Sequence, residues 1–103
     1  KEEIQKVKVD EALMEYIVNI VHETRNNSII EIGSSPRGTI SLLKSSKACA
    51  AIYGRDYVTP EDIKKMAIPT LRHRITLKPE LELEGIMSKD ILIDILSKVK
   101  VPR

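Results

Sequence analysis

Four times in 103 residues a helix-capping residue stands directly ahead of apolar side chains at helical spacing, which limits the chain to a small all-α fold. Asp10 precedes Leu13, Ile17, Ile20, Val21 and Thr24, and the cluster Asn26-Asn27-Ser28 ends that run. Ser35 and Pro36 open a second helix, expected over residues 36–53 and closed by Gly54. Its apolar residues (Ile40, Leu42, Leu43, Cys49, Ala50, Ala51) cover more than one face, so it is expected to be the central, most enclosed helix. Thr59-Pro60-Glu61-Asp62 is a variant capping box that starts a third helix, with Ile63, Met66, Ala67 and Leu71 inward. Pro69 is expected to kink or split it. The last helix is expected from Lys89, capped by Ser88, with Ile91, Leu92, Ile95, Leu96 and Val99 on its inner face. Residues 29–32 are β-branched, and residues 74–77 alternate. At most one short two-stranded ribbon follows, with Tyr57-Val58 as the candidate partner of 74–77.

Composition narrows the function classes. Hydrophobic residues make up 42% and charged residues 31%, the balance of a packed domain rather than a disordered tail. The core must be aliphatic, because Tyr16, Tyr53 and Tyr57 are the sole aromatic residues. So few rings leave little to stack on bases, and a net charge of +2 suits no generic duplex-binding surface. Nucleic acid is therefore not an expected partner. Cys49 stands alone, makes no internal disulfide and lies in an apolar helical run; a buried thiol in a reducing, cytoplasmic setting is expected. No apolar stretch approaches the ~20 residues that span a bilayer, so no membrane partner is expected. Residues 1–8 read as a linker or the end of a preceding helix, and 9–103 as the domain, so the chain reads as a piece of a longer protein.

One helix start breaks the local rule. The first, third and fourth helices carry Glu11, Glu61 with Asp62, and Asp90 in their first turns, where acids complement the helix dipole. The second carries Arg37 there, and no acid occurs anywhere from residue 32 to residue 55. The amides after a Gly-Ser-Ser turn, the dipole and a guanidinium together suit an anion. A solvated or structurally paired arginine is the alternative on these residues alone.

The string Ile32-Gly33-Ser34-Ser35-Pro36-Arg37-Gly38 resembles the lid signature of MoxR-type AAA+ ATPases, which typically reads Leu-Gly-Ala-Ser-Pro-Arg. The resemblance continues through Val7-Lys8-Val9, Tyr16-Ile17-Val18 and Thr24-Arg25 before the motif. After it come Gly54-Arg55-Asp56-Tyr57-Val58-Thr59-Pro60-Glu61-Asp62, Leu71-Arg72-His73-Arg74 and Val101-Pro102-Arg103. Ser34 for Ala and Ile32 for Leu are the two departures. The resemblance implies a four-helix lid on a nucleotide-binding core, with Arg37 as the sensor 2 residue in the ATP site and Gly33, Ser34, Ser35 and Pro36 beside the nucleotide. It further implies Mg-ATP as the parent's cofactor, the core of the same chain and neighbouring ring subunits as partners, and chaperone-like remodelling of an unidentified client.

The sequence holds no Gly-x-x-x-x-Gly-Lys-Ser/Thr loop and no acid-ending strand for Mg²⁺, so hydrolysis is expected of the parent and not of this chain alone, nor tight nucleotide binding by it. His22 has no second ligand one turn on, and His73 stands between Arg72 and Arg74, so no metal site is expected. Arg25 and Arg74 are expected to pair with a carboxylate or to cap a helix end, Lys44 to be solvated, and Tyr53 and Tyr57 to pack. Two rival classes remain on the residues: a histone-like helical DNA-binding module and a protein adaptor.

Overall fold

The computed structural model describes residues 2–102; Lys1 and Arg103 lie outside the described residues. The elements in chain order are α1 (Glu2–Gln5), α2 (Glu11–Asn26), β1 (Ile30–Ile32), α3 (Pro36–Ile52), α4 (Pro60–Leu71), β2 (Thr76–Leu77), α5 (Pro79–Leu83) and α6 (Ser88–Lys98). The four long helices start within a residue of where the capping signals put them. Ser35 Oγ accepts from the Arg37 amide ahead of α3. Thr59 and Asp62 form a reciprocal capping box ahead of α4. Asp10 occupies the α2 cap position without a side-chain bond. At α6 the cap is Met87 rather than Ser88, because Asp90 Oδ2 accepts from the Met87 amide and draws Ser88 into the first turn.

The core is aliphatic around one buried ring. Leu13, Tyr16, Ile17, Ile20, Val21 and Thr24 of α2 are all buried, with Leu42 and Ala50 of α3, Ile63, Ala67 and Leu71 of α4, and Ile91, Leu92 and Ile95 of α6. At roughly 1.5–3 kcal/mol per fully buried aliphatic side chain, this cluster dominates the stability. As expected, α3 is the central helix, packed against both α2 and α4. Ile40 and Ile52 of α3 are 54% and 82% exposed. The buried face of α3 is built of small residues (Gly38, Ser46, Cys49, Ala50) around Leu42, so it packs closely on α4 while its larger side chains face out.

Pro69 does not split α4, which runs on to Leu71; it lies near the C-terminal end and lacks the N–H for the bond one turn back. The ribbon forms between β1 and β2, antiparallel, with Ile30 opposite Leu77 and Ile32 opposite Thr76 across an irregular register. Tyr57 is not the partner of β2. It pairs in parallel with Lys8, whose amide donates to Asp56 O and whose carbonyl accepts from Val58. Val7 is thereby buried against the core. Gly54, at φ +75°, closes α3 as expected of a left-handed glycine.

Candidate functional site

The segment with the reversed charge, residues 33–38, joins the end of β1 to the start of α3, and α2 holds it from behind. Thr24, buried in the last turns of α2, donates through Oγ1 to Val21 O (2.6 Å) and accepts from the Ser34 amide (2.9 Å). Arg25 Nε donates to Ser34 O at 2.8 Å. Both backbone groups of Ser34 are therefore bonded to consecutive residues of α2. The glycines are explained by the same contacts. A Cβ on Gly33 would stand 2.5 Å from Thr24 O and 2.7 Å from Arg25 Cα, and one on Gly38 would overlap Ser34 Oγ. Only hydrogen fits at Gly33, where the atoms met are backbone.

This geometry changes how an anion would be met. Sequence reasoning offered it the amides of the turn, and three of them are engaged. The Ser34 amide goes to Thr24, Pro36 has none, the Arg37 amide reaches Ser35 Oγ at 3.3 Å, and the Gly38 amide reaches Ser35 O at 2.8 Å. Gly33 and Ser34 shape the turn from inside, Ser34 being only 1% exposed, while Ser35, Pro36 and Arg37 stand on the surface. The Arg37 side chain stands exposed beside this turn. Among the described residues the ion pairs are Arg55–Asp62, Lys64–Glu61 and Lys98–Asp94, and Arg37 joins none of them.

Arg25 and Arg74 depart from the sequence expectation. Neither meets a carboxylate: Arg25 bonds the turn, and Arg74 Nη2 donates to Ser41 Oγ on α3 at 2.9 Å. Lys44 is exposed. His22 Nε2 lies 2.6 Å from Asn26 Nδ2, and His73 Nε2 accepts from Arg72 Nε at 3.2 Å. Among the described residues no group of three His, Cys, Asp or Glu stands together to hold a metal ion. Among the described residues no helix is long and apolar enough to cross a membrane.

Sequence reasoning missed a second cluster, beyond the other end of α3. Arg55 Nη1 and Nη2 grip Asp62 Oδ2 and Oδ1 at 2.6 and 2.7 Å, a bidentate pair. Asp62 Oδ2 also accepts from the Thr59 amide, and Oδ1 receives the Cys49 thiol at 3.5 Å. The Arg55 hydrogen bonds, opposed by burial, bring the Asp62 carboxyl from its ordinary 3.8 down to about 2. Burial pushes the Cys49 thiol up, and the neighbouring Asp62 adds to this, so the thiol stays protonated. The acid at the third position of α4 was the available signal: its capping role placed Asp62, but nothing in the spacing named Arg55. Tyr53 and Tyr57 pack, as expected, but at the surface against Arg55. They are 58% and 52% exposed, with their rings 5.7 and 5.9 Å from the Arg55 guanidinium carbon.

The family model of the AAA lid domain matches residues 22–95, and the chain belongs to that family. It is 47% identical over 100 residues to the uncharacterised protein YeaC of Bacillus subtilis, a match covering 97% of this chain and 31% of that one. Against the chaperone MoxR1 of Mycobacterium tuberculosis it is 29% identical, over 92% of this chain and 28% of that one. A crystal structure of a protein assigned as an ATPase, from Cytophaga hutchinsonii, superposes with a TM-score of 0.94 at 41% identity, over 99% of this chain and 34% of that one. These relatives place the chain with the C-terminal lids of MoxR-type AAA+ proteins, and it spans about a third of the curated relatives' length. Membership in the lid family displaces the histone-like reading.

Proposed function

We propose that this domain is the nucleotide-sensing lid of an ATPase, and that Arg37 is its sensor, directing a guanidinium at the phosphates of ATP. The observation that carries this is a contrast within seven residues: the turn beneath Arg37 is locked to α2 through Thr24 and Arg25, whereas the guanidinium has no carboxylate partner. A fixed base with unspent donors is preorganised for an oxyanion, and no rearrangement of the turn is needed to receive it.

The donor set suits phosphate. A guanidinium presents five N–H groups in a planar fork, and no acid on α3 competes for it. The domain brings no carboxylate cluster for Mg²⁺, so that ion falls to the core of the parent. Bound nucleotide supplies the charge that Arg37 answers. The lid residues orient Arg37, and they transmit its position through α3 to α4 and through the turn to α2. Gly33, Ser34, Ser35 and Pro36 act by fixing that orientation.

In this reading the lid occupies residues 9–103 and residues 1–8 lead in from the core, with Val7 and Lys8 already tied to the lid. The parent hydrolyses ATP in a cytoplasmic ring, and lid movement couples turnover to chaperone-like remodelling of a client, whether Arg37 serves its own subunit or a neighbour. The test is steady-state ATP turnover by the parent protein with Arg37, Arg37→Ala or Arg37→Lys. The alanine variant is expected to lose on the order of 10³-fold in rate, as for arginines that neutralise a transferring phosphoryl group, and lysine is expected to restore part of it. Equal turnover in all three would remove Arg37 from the ATP site.

A further inference from the structure

Arg37 is not the sole guanidinium at this end of the domain. β1 ends at Ile32 and runs straight into the Gly33 turn, while β2 begins at Thr76, the partner of Ile32, two residues after Arg74. The ribbon therefore brings Arg74 to the same end at which the chain turns toward Arg37. A side-chain bond then draws Arg74 onto α3, where its Nη2 donates to Ser41 Oγ at 2.9 Å, across 33 residues of sequence. Ser41 lies four residues after Arg37, hence one turn along the same helix face, where Cβ atoms are about 5–6 Å apart.

We infer that Arg74 is a second phosphate-directed guanidinium of the Arg37 site, placed so that two arginines meet successive phosphates of one nucleotide. The inference rests on the reading of Arg37 as nucleotide-facing. Two charge observations carry it. No Asp or Glu occurs between Glu31 and Asp56, so α3 offers neither arginine a counter-charge. Arg74 also takes part in none of the ion pairs among the described residues. Among the described residues its side chain bonds a neutral hydroxyl, which fixes it without neutralising it and leaves other N–H donors of the fork unspent. Arg74 is thus held one helical turn from the base of Arg37, and two cations on one face repel each other. A chain of phosphate oxygens between them reverses the sign of that interaction, and each fork can bind its phosphate bidentately.

A strut between α3 and the segment after α4 would need only the Ser41 bond, which an amide donor makes equally well. The two roles separate by experiment on the full-length parent. ATP affinity and melting temperature are measured for wild type, Arg37→Ala, Arg74→Gln, Arg74→Lys and Ser41→Ala, with Mg-ATP as the probe. Arg74→Gln is expected to weaken ATP roughly tenfold with little change in melting, the loss typical of one charge-assisted hydrogen bond. Arg74→Lys should recover part of this, and Ser41→Ala should lose less than Arg74→Gln because the charge remains.

Three results overturn the inference while leaving the Arg37 reading intact. Arg74→Gln could bind ATP like wild type while Arg37→Ala does not. Ser41→Ala could match Arg74→Gln, with both losses following a lower melting temperature. Arg74→Gln could disperse the ring at unchanged ATP affinity, which would assign the guanidinium to an acidic group on a neighbouring subunit. If neither Arg37→Ala nor Arg74→Gln alters ATP binding, the nucleotide-facing reading itself fails, and this inference with it.

Discussion

Two arginines bracket α3, and they are used in opposite ways. Arg55, just beyond its C-terminal end, is consumed by the fold: both terminal nitrogens hold Asp62, Nη1 also donates to Tyr57 O at 3.2 Å, and two tyrosine rings flank it. Arg37, in the first turn, has a backbone position fixed by the turn but a side chain with no ion-pair partner. Residue type does not distinguish them. The difference is whether the surroundings supply a counter-charge: where they do, the arginine stabilises the domain, and where they do not, it is available to something brought from outside.

The contrast breaks most readily at Asp62. Replacing it with alanine leaves the Arg55 cation without its partner and removes the capping box of α4. A loss of about 3 kcal/mol is expected, at the low end for a broken buried pair because the Arg55 side chain is 26% exposed. Urea denaturation of the domain checks this, and a cost under ~1 kcal/mol would make Arg55 no more structural than Arg37. Acid probes the same pair without mutation. The Asp62 carboxyl titrates near 2 when folded against 3.8 ordinarily, so its contribution is complete above about pH 4 and is lost as pH falls toward 2. The expected difference is about 2 kcal/mol between wild type and Asp62→Asn across that window. Parallel acid profiles for the two proteins would show that the pair is not formed in solution.

Smaller effects sharpen the other end. Gly33→Ala forces a methyl group against the backbone of Thr24 and Arg25, for an expected cost of about 1.5 kcal/mol, read as a shift in the denaturation midpoint. An alanine accepted there without loss would mean the turn is not pressed against α2. The smallest effect is the most telling: Arg37→Ala should change stability by tenths of a kcal/mol at most, or stabilise slightly, because it removes a cation from the positive end of a helix dipole. A substantial loss would give Arg37 a structural partner and erase the contrast.

Much of this was legible in the sequence, for identifiable reasons. Helical period and capping chemistry are local, so Leu13, Ile17, Ile20, Val21 and Thr24 were correctly assigned to one buried face, and Ser35-Pro36 and Thr59-Pro60 to helix starts. Strand pairing is not local. Residues 74–77 alternate, but nothing in four residues says that β1 rather than Tyr57-Val58 lies opposite. The short helix α5 has too few residues to show a period. Apolar content placed α3 at the centre but does not reveal orientation, and Ile40 and Ile52 face outward. At the site, the odd charge of Arg37 could be read from the pattern of first turns. The engagement of the turn amides, the Ser34 bond of Arg25 and the Ser41 bond of Arg74 depend on contacts between segments 9 to 33 residues apart, which spacing does not encode.

The most direct test of the contrast between the two arginines is the structure of the parent protein with a non-hydrolysable ATP analogue and Mg²⁺ bound. Arg37 should stand about 2.7–2.9 Å from a phosphate oxygen, within its own subunit or across to the next, while Arg55 keeps both bonds to Asp62 unchanged. Phosphates contacted by no lid arginine, with Arg37 turned to solvent, would contradict it.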